Sequence, residues 1–237
     1  ARKMRNLGTA RVCAALSAIA YSDVSLDDLR LQRLNISWVK VIEVGASYVF
    51  LAWDRRRMFV AFRGTDDLKD LFWDLRFIKR DFPSGGRVHR GFFAAYDKVR
   101  APLLDELGGL VTRVPIIVTG HSLGAAMAQM LTAELCSPLL EKCGPHPPQE
   151  VHLFGSPRAG NKTFVKRITC PVTRYKGRLD PIAWVPLRMG PVQAGAAIRQ
   201  GRKPTMFRQP GEGKIVPAWF HNMDKYRLSL DRLVAGG

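Results

Sequence analysis

The chain has 237 residues, of which 46% are hydrophobic and 24% are charged. It is therefore long enough for one α/β domain with a buried core, and its composition excludes wholesale disorder. Lysine and arginine outnumber aspartate and glutamate by 37 to 20, and the resulting formal charge of +17 favours contact with anionic surfaces.

Two classes of protein are set aside because their patterns are missing from the sequence. No apolar run is long enough to cross a bilayer, so we expect a soluble protein and favour secretion over a cytoplasmic location. No zinc-finger, RNA-binding or basic heptad motif accompanies the charge, so nucleic acid is not an expected partner. The charge is then either scattered over the surface or used for contact with an anionic membrane or a lipid-droplet surface.

The N-terminal part of the chain predicts two helices followed by an antiparallel meander. We expect residues 1–10 to form a loose basic tail, with a helix beginning near Thr9 and ending near residue 21. A second, short helix is expected over residues 27–34. Three strands separated by tight turns follow, over residues 38–44, 48–53 and 58–62.

The next segment changes from strand to helical periodicity. Its apolar residues recur at intervals of three or four, at Leu68, Leu71, Phe72 and Leu75. One interpretation is a helix that faces the core. The other is an amphipathic lid whose apolar face covers a lipid site and turns outward at an interface.

Strands and helices alternate through the C-terminal part, which predicts a mostly parallel sheet with helices on both faces. The predicted order is a helix ending near 107, a strand before residue 120, a helix over 123–135, a strand over 151–154, a short helix ending near 168 and a strand over 172–175. A Gly-, Pro- and Arg-rich excursion over 187–217 and a closing helix over 224–234 complete a single predicted domain.

The segment Gly120-His121-Ser122-Leu123-Gly124 joins an apolar β-branched strand to an Ala-rich helix. A tight turn of this kind presents the serine hydroxyl at its tip, and the helix N-terminus directs N–H groups toward it. The alternative is an ordinary strand-to-helix turn whose serine has no role. In the functional interpretation Ser122 is a nucleophile, while the N–H groups of Leu123 and Thr65 stabilise the oxyanion.

A serine nucleophile needs a base and an acid, which in sheet-topped hydrolases follow it in the order carboxylate, then histidine. His221 is the expected base, because the other downstream histidines lie in a proline-rich loop (His146) and inside a strand (His152). Asp180 is the expected acid, because it follows a strand directly and Pro181 favours extended backbone before it. The alternatives are Asp224, which is better placed as a helix cap, and Asp97, which precedes the serine.

The four cysteines, Cys13, Cys136, Cys143 and Cys170, lack C-x-x-C spacing. A zinc site is therefore not expected, and neither a metal nor a cofactor is predicted. Cys136 and Cys143 could pair around a short loop, and free buried thiols are the alternative.

Seven motifs in this order resemble the fungal-type class 3 lipase family, a branch of the α/β-hydrolases. They are Phe62-Arg63-Gly64-Thr65, Trp73-Asp74-Leu75, Val88-His89-Arg90-Gly91-Phe92, the Gly120–Gly124 turn, Phe154-Gly155-Ser156-Pro157-Arg158-Ala159-Gly160-Asn161, Asp180-Pro181, and His221-Asn222-Met223-Asp224-Lys225-Tyr226. The resemblance covers roughly residues 10–228.

The resemblance implies an α/β-hydrolase fold whose triad is Ser122, Asp180 and His221, with Thr65 as an oxyanion donor and a lid after it. It also implies hydrolysis of a glycerolipid ester without a cofactor, and hence a lipid or ester substrate as the main partner. Phospholipase A-type activity on anionic membranes, hydrolysis of soluble short-chain or aromatic esters, and an inactive fold used as a binding module are the alternatives.

Overall fold

The computed structural model describes residues 2–65, 78–109, 114–138, 146–175 and Met223, with side chains described from residue 8 onward. Five helices have described bounds: α1 (Arg2–Ile19), α2 (Leu29–Arg33), α3 (Arg90–Gly109), α4 (Leu123–Leu135) and α5 (Lys162–Val165). The strands in the same ranges are β1 (Trp38–Val44), β2 (Ser47–Trp53), β3 (Met58–Phe62), β4 (Lys79–Asp81), β5 (Arg87–His89), β6 (Ile116–His121), β7 (Glu150–Phe154) and β8 (Val172–Tyr175).

The main sheet has the strand order β1-β2-β3-β6-β7-β8. The first three strands pair antiparallel, and β3, β6, β7 and β8 run parallel to one another. The predicted antiparallel meander beside a parallel sheet is therefore confirmed. Because β3, β6, β7 and β8 run in one direction, their carboxyl ends meet at one edge of the sheet.

Alternate residues of each strand face two different apolar cores. In β3, Met58, Val60 and Phe62 belong to the core shared with α3 and α4. Phe59 and Ala61 belong to the core shared with α1 and α2. This two-residue period is the geometry of a pleated strand covered on both faces, and it explains why β2 and β3 are almost continuously apolar.

Helix α4 is buried along nearly its whole length, and a charged group fixes its contact with α3. The Glu134 carboxylate is 3% exposed and accepts hydrogen bonds from Tyr96 Oη at 2.6 Å and Arg100 Nε at 2.7 Å. Burial and the neighbouring carboxylate raise the pKa of Tyr96, so its phenol stays protonated and donates. A buried carboxylate with two donors is held in place rather than left unpaired.

Two local features differ from the predictions. Helix α1 begins at Arg2 instead of near Thr9, so most of the segment expected to be a loose tail is helical; residues 2–7 are mainly good helix formers and contain no proline. Strands β4 and β5 form a separate two-stranded hairpin that the sequence did not predict. Each is three residues long, too short for an apolar period to show.

No helix in the described part of the chain combines the length and apolar character needed to span a membrane.

Candidate active site

Ser122 lies at the turn between β6 and α4 with φ 55° and ψ −124°. A non-glycine residue in this region is strained, and such strain persists only where surrounding contacts fix it. Its N–H donates to the Phe154 carbonyl of β7 at 3.1 Å, and its own carbonyl accepts from the N–H of Ala125 at 3.0 Å. The turn predicted from the sequence is therefore present, and it is held from the adjacent strand and from the helix.

The two glycines of the turn are required by close backbone approach. A Cβ atom at Gly120 would lie 2.5 Å from the carbonyl carbon and oxygen of Gly124. A Cβ atom at Gly124 would overlap the Phe62 carbonyl oxygen and lie 2.8 Å from that of Arg63. The first turn of α4 therefore packs directly on the end of β3, which only glycine permits.

The Ser122 side chain is fully buried, and its Oγ has no hydrogen-bond partner among the described residues. Leu123, the first residue of α4, is half-buried. The first N–H groups of a helix lack intrahelical partners and carry a partial positive charge. An oxygen that becomes negative beside Ser122 is therefore close to the positive end of α4.

The second predicted oxyanion donor, Thr65, is half-buried and follows a residue that touches the turn. A Cβ atom at Gly64 would lie 2.7 Å from the His121 carbonyl oxygen and would overlap the Tyr21 hydroxyl. The chain after β3 thus passes against the residue that precedes the serine.

His121, the residue before Ser122, contacts Tyr21, and the sequence did not predict this contact. His121 is 4% exposed, and its Nδ1 is 2.7 Å from the hydroxyl of Tyr21, just beyond the end of α1. The two rings meet edge to face, with centroids 5.8 Å apart. The two residues are 100 positions apart, and neither carries a local signal that would predict the pairing.

Three alternative acid or base residues, His152, His146 and Asp97, lie in the described ranges. His152 is buried in β7, where Nδ1 is 3.0 Å from the Tyr175 hydroxyl and Nε2 is 3.0 Å from Glu150 Oε2. His146 is exposed in the loop before β7, and Asp97 is exposed on α3. His152 therefore lies inside a strand, as predicted, and is a buried residue with hydrogen-bond partners for both ring nitrogens.

The other predicted site residues lie outside the described residues. These are Asp180, His221 and the four apolar residues of the predicted lid, Leu68, Leu71, Phe72 and Leu75. No group of three or more His, Cys, Asp or Glu side chains that could hold a metal ion occurs in the described ranges.

The carboxyl end of β8 lies at the same edge of the sheet as the Ser122 turn, as the register of the parallel strands shows. His121 is in register with Phe154, and Phe154 with Tyr175. The N–H of Gly155 also donates to the Tyr175 carbonyl at 2.9 Å. The last described residue of β8 is therefore two strands from Ser122, at the same edge of the sheet.

A mixed sheet with an antiparallel N-terminal part and a strained serine between a central parallel strand and a buried helix defines an α/β-hydrolase. The family model described as lipase (class 3) matches residues 59–189, which is more than half of the chain. The chain belongs to this family.

Curated relatives are similar over part of their length. A lipase of Rhizopus niveus is 30% identical over 151 residues, covering 59% of this chain and 37% of the relative. Secreted mono- and diacylglycerol lipase A of Penicillium camembertii is 28% identical over 60% of this chain and 47% of the relative. Phospholipase A1-II 6 of Oryza sativa is 27% identical over 80% of this chain and 54% of the relative. The matches thus span about a third to a half of each relative's length.

Solved structures agree on the fold. Lipase II from Rhizopus niveus superposes with a TM-score of 0.66 at 23% identity, over 81% of this chain and 79% of that one. A triacylglycerol lipase described as having a serine protease triad as its catalytic centre gives a TM-score of 0.65 at 23% identity, over 81% and 78% of the two chains.

Proposed function

We propose that this chain hydrolyses carboxylic esters of glycerolipids through an acyl-enzyme formed on Ser122. The observation that carries the proposal is the turn itself: a buried serine with φ 55°, held between a parallel strand and a helix N-terminus. A non-glycine residue in this conformation is strained, and such strain is concentrated at functional sites. Membership of the class 3 lipase family and the names of its relatives support an ester substrate.

Asp180 is the proposed acid of the triad. Tyr175, the last residue of β8, lies at the sheet edge that carries Ser122, and Asp180 follows it by five positions. A carboxylate offered just after the carboxyl end of a parallel strand fits the order of residues in this class of hydrolase.

His221 is the proposed base. Met223, two positions later, is 6% exposed and belongs to the same apolar core as Phe154 and Tyr175. Two residues of extended chain span about 7 Å at most. The buried Met223 thus supports a position for His221 close to the apolar core that Phe154 and Tyr175 share with α1.

In the proposed mechanism His221 takes the proton of the Ser122 hydroxyl while Oγ attacks the ester carbonyl carbon. The N–H of Leu123, together with Thr65 as the second donor, stabilises the resulting oxyanion. His221 then protonates the departing alcohol. A water molecule, deprotonated by His221, attacks the acyl-enzyme and releases the fatty acid. Asp180 holds the imidazole in the tautomer that this sequence needs.

The segment containing Leu68, Leu71, Phe72 and Leu75 is the proposed lid. It follows Thr65 and precedes Ile78, whose side chain is 45% exposed. The Ile78 carbonyl accepts from the N–H of Arg90 at 2.9 Å, so the chain is fixed again where the segment ends. An apolar segment of this length between Thr65 and Ile78 suits a proposed cover that opens at a lipid surface.

Substitution of the nucleophile tests the proposal. The Ser122→Ala variant is expected to lose hydrolysis of p-nitrophenyl esters and labelling by a fluorophosphonate, while its Tm stays close to that of the wild type. Ser37→Ala is the matched control, because Ser37 is an exposed serine next to Trp53, at the end of β2 away from the turn. A fully active Ser122→Ala variant would refute the assignment of the nucleophile.

A second candidate, phospholipase A-type activity on anionic membranes, is favoured by one surface. We define the basic surface by its cationic residues on the β4–β5 hairpin, the start of α3 and helix α5 with the turn after it: Lys79, Arg80, Arg87, Arg90, Lys162, Lys166 and Arg167. All except the half-buried Lys79 are exposed, and Asp81 is the one carboxylate in segments 78–90 and 160–168. Rice phospholipase A1-II 6 and an Arabidopsis galactolipase are among the relatives. Their names support polar glycerolipids as a substrate class for this chain.

The basic surface is one connected unit, and in the sequence it begins directly after the proposed lid. Val88 bridges to Gly160, the N–H of Arg87 donates to Asn161 Oδ1 at 3.1 Å, and the rings of Phe82 and Phe164 meet 5.1 Å apart. Ile78, at the start of this unit, adds an exposed apolar side chain. Cations beside an apolar group suit adsorption to an anionic lipid surface.

Vesicle sedimentation tests this second proposal without relying on activity. The Lys162→Gln/Lys166→Gln double variant should bind phosphatidylglycerol-containing vesicles about thirtyfold more weakly, since two surface cations at about 1 kcal/mol each contribute about 2 kcal/mol. The Arg33→Gln/Arg56→Gln variant loses the same charge from exposed positions at the opposite end of the sheet, and should bind more tightly than the double lysine variant. Equal weakening of both variants would indicate a non-specific charge effect. Binding that is insensitive to salt would exclude electrostatic adsorption.

We also propose secretion, which the name of the Penicillium relative supports. Detection of the chain in culture medium rather than in the cell lysate tests this location.

A further inference from the structure

Two cysteines from distant parts of the chain meet at the end of the nucleophile helix. Cys136 is the C-terminal cap of α4, and its N–H donates to the Thr132 carbonyl at 3.0 Å. Cys170 lies two positions before β8 and is 7% exposed. The Cys170 thiol donates a hydrogen bond to the Cys136 sulfur. Cys170 belongs to the core between the sheet, α3 and α4, and Cys136 packs against that core. Cys143, the partner considered from sequence spacing, lies outside the described residues.

The surroundings of the two thiols make them chemically unequal. Cys136 is half-buried, and its sulfur also receives hydrogen bonds from the Thr169 side chain and from the N–H groups of Thr169 and Cys170. These donors lower the pKa of Cys136 to about 5, while the neighbouring Cys136 sulfur and burial raise the pKa of Cys170. The hydrogen bonds to Cys136 favour its thiolate over that of Cys170, so Cys136 is the sulfur expected to attack first in disulfide exchange.

We propose that Cys136 and Cys170 form a redox-active disulfide site that reacts with low-molecular-weight disulfides such as oxidised glutathione. The Cys136 thiolate attacks one sulfur of the small disulfide, forms a mixed disulfide and releases one thiolate. The Cys170 thiol then gives its proton to the released small thiolate and attacks the Cys136 sulfur, which releases the second small thiolate. One protein thiolate, one protein thiol and one small disulfide become one protein disulfide, one small thiol and one small thiolate, so electrons, protons and atoms balance. This inference is independent of the proposed hydrolase function.

The disulfide would join the end of α4 to the segment that leads into β8. Helix α4 begins directly after Ser122, and β8 leads toward Asp180. The cross-link closes the long loop from residue 136 to residue 170, which restricts the unfolded chain. For a chain of this length we expect Tm to rise by about 5–15 °C on oxidation.

Peptide mapping of the full-length wild-type chain tests the site. The chain is incubated with oxidised glutathione, its remaining thiols are alkylated, and it is digested without reductant. The expected product is a Cys136–Cys170 cross-linked peptide pair that disappears after reduction, together with the rise in Tm. The Cys143→Ser variant should give the same cross-link. Cys13, which is fully buried, serves as the internal control and should be alkylated only after unfolding.

Three results would overturn the proposal. They are a Cys136–Cys143 cross-link in the wild type, separate alkylation of Cys136 and Cys170 after oxidation, or a stable mixed disulfide with glutathione on Cys136 that Cys170 fails to displace. Because the primary experiment uses the wild-type chain, poor folding of a cysteine variant would not affect the outcome.

Discussion

Because α4 packs closely on the end of β3, adding a single methyl group at Gly124 is expected to lower both the stability and the activity of the protein. In Gly124→Ala the new Cβ atom would overlap the Phe62 carbonyl oxygen and lie 2.8 Å from that of Arg63. Neither backbone group can rotate away, so the first turn of α4 and the end of β3 must separate. Overpacking of this kind costs about 1–3 kcal/mol, which corresponds to a fall in Tm of about 2–12 °C for a chain of this size.

The same separation should impair catalysis more than it impairs folding. The N–H groups proposed to stabilise the oxyanion lie on either side of this contact, at Leu123 and Thr65. Loss of one well-placed donor typically costs about 10²–10³ in kcat, so we expect a fall in kcat of that order with KM little changed. Hydrolysis of a soluble p-nitrophenyl ester and thermal unfolding measure the two effects.

Gly8→Ala is the matched control, because Gly8 is also helical and a Cβ atom there meets nothing within 4 Å. Alanine at that position should stabilise α1 by up to about 1 kcal/mol through helix propensity. The reasoning would be refuted if Gly124→Ala matched the control in both Tm and kcat. A fall in Tm with unchanged kcat would retain the packing argument and remove the link to the oxyanion donors.

Three further outcomes are expected. Tyr96→Phe removes a donor from the buried Glu134 carboxylate and should lower the free energy of unfolding by about 1.5–3 kcal/mol in urea titration, whereas a change within error would show that Arg100 alone suffices. Tyr21→Phe leaves His121 Nδ1 without its 2.7 Å partner and should lower kcat on a soluble ester, while an unchanged kcat would make the pair purely structural. Cys136 should react with iodoacetamide at pH 6.5 at nearly its full rate, because a thiol of pKa about 5 is then ionised. A thiol of pKa 9.0 is only about 0.3% ionised at that pH. A rate that still rises between pH 7 and pH 9 would contradict the lowered pKa of Cys136.

The turn and the main sheet could be predicted because their signals are local. Runs of β-branched, aromatic and other apolar residues bounded by glycine and charged turns locate β1, β2, β3 and β6. The Gly-x-Ser-x-Gly spacing identifies the strained serine. Each of these features is encoded within about ten consecutive residues. The sequence therefore contains what is needed to assign the fold class and the proposed nucleophile.

Contacts between distant segments could not be predicted in the same way. The Tyr21–His121 pair and the Cys136–Cys170 pair depend on how α1 and the segment before β8 pack against the centre of the molecule. Spacing alone suggested Cys143 as the partner of Cys136, because short loops close most easily, but the fold brings Cys170 there. The β4–β5 hairpin was missed for a related reason: its partner contacts lie in the segment around Gly160, far along the chain.

Within the described part of the chain, main-chain contacts from the ends of β3 and β7 and from α4 hold Ser122 in its strained conformation. They depend on the sheet and not on the identity of the surrounding side chains. The basic surface lies instead on the β4–β5 hairpin, the start of α3 and α5 with the turn after it, which contribute none of these contacts. The chemical step and adsorption to lipid should therefore be separable: loss of charge from Lys162 and Lys166 should weaken vesicle binding while kcat on a soluble ester stays unchanged. A parallel fall in both quantities would mean that the hairpin and α5 help to position the turn, contrary to the contacts described.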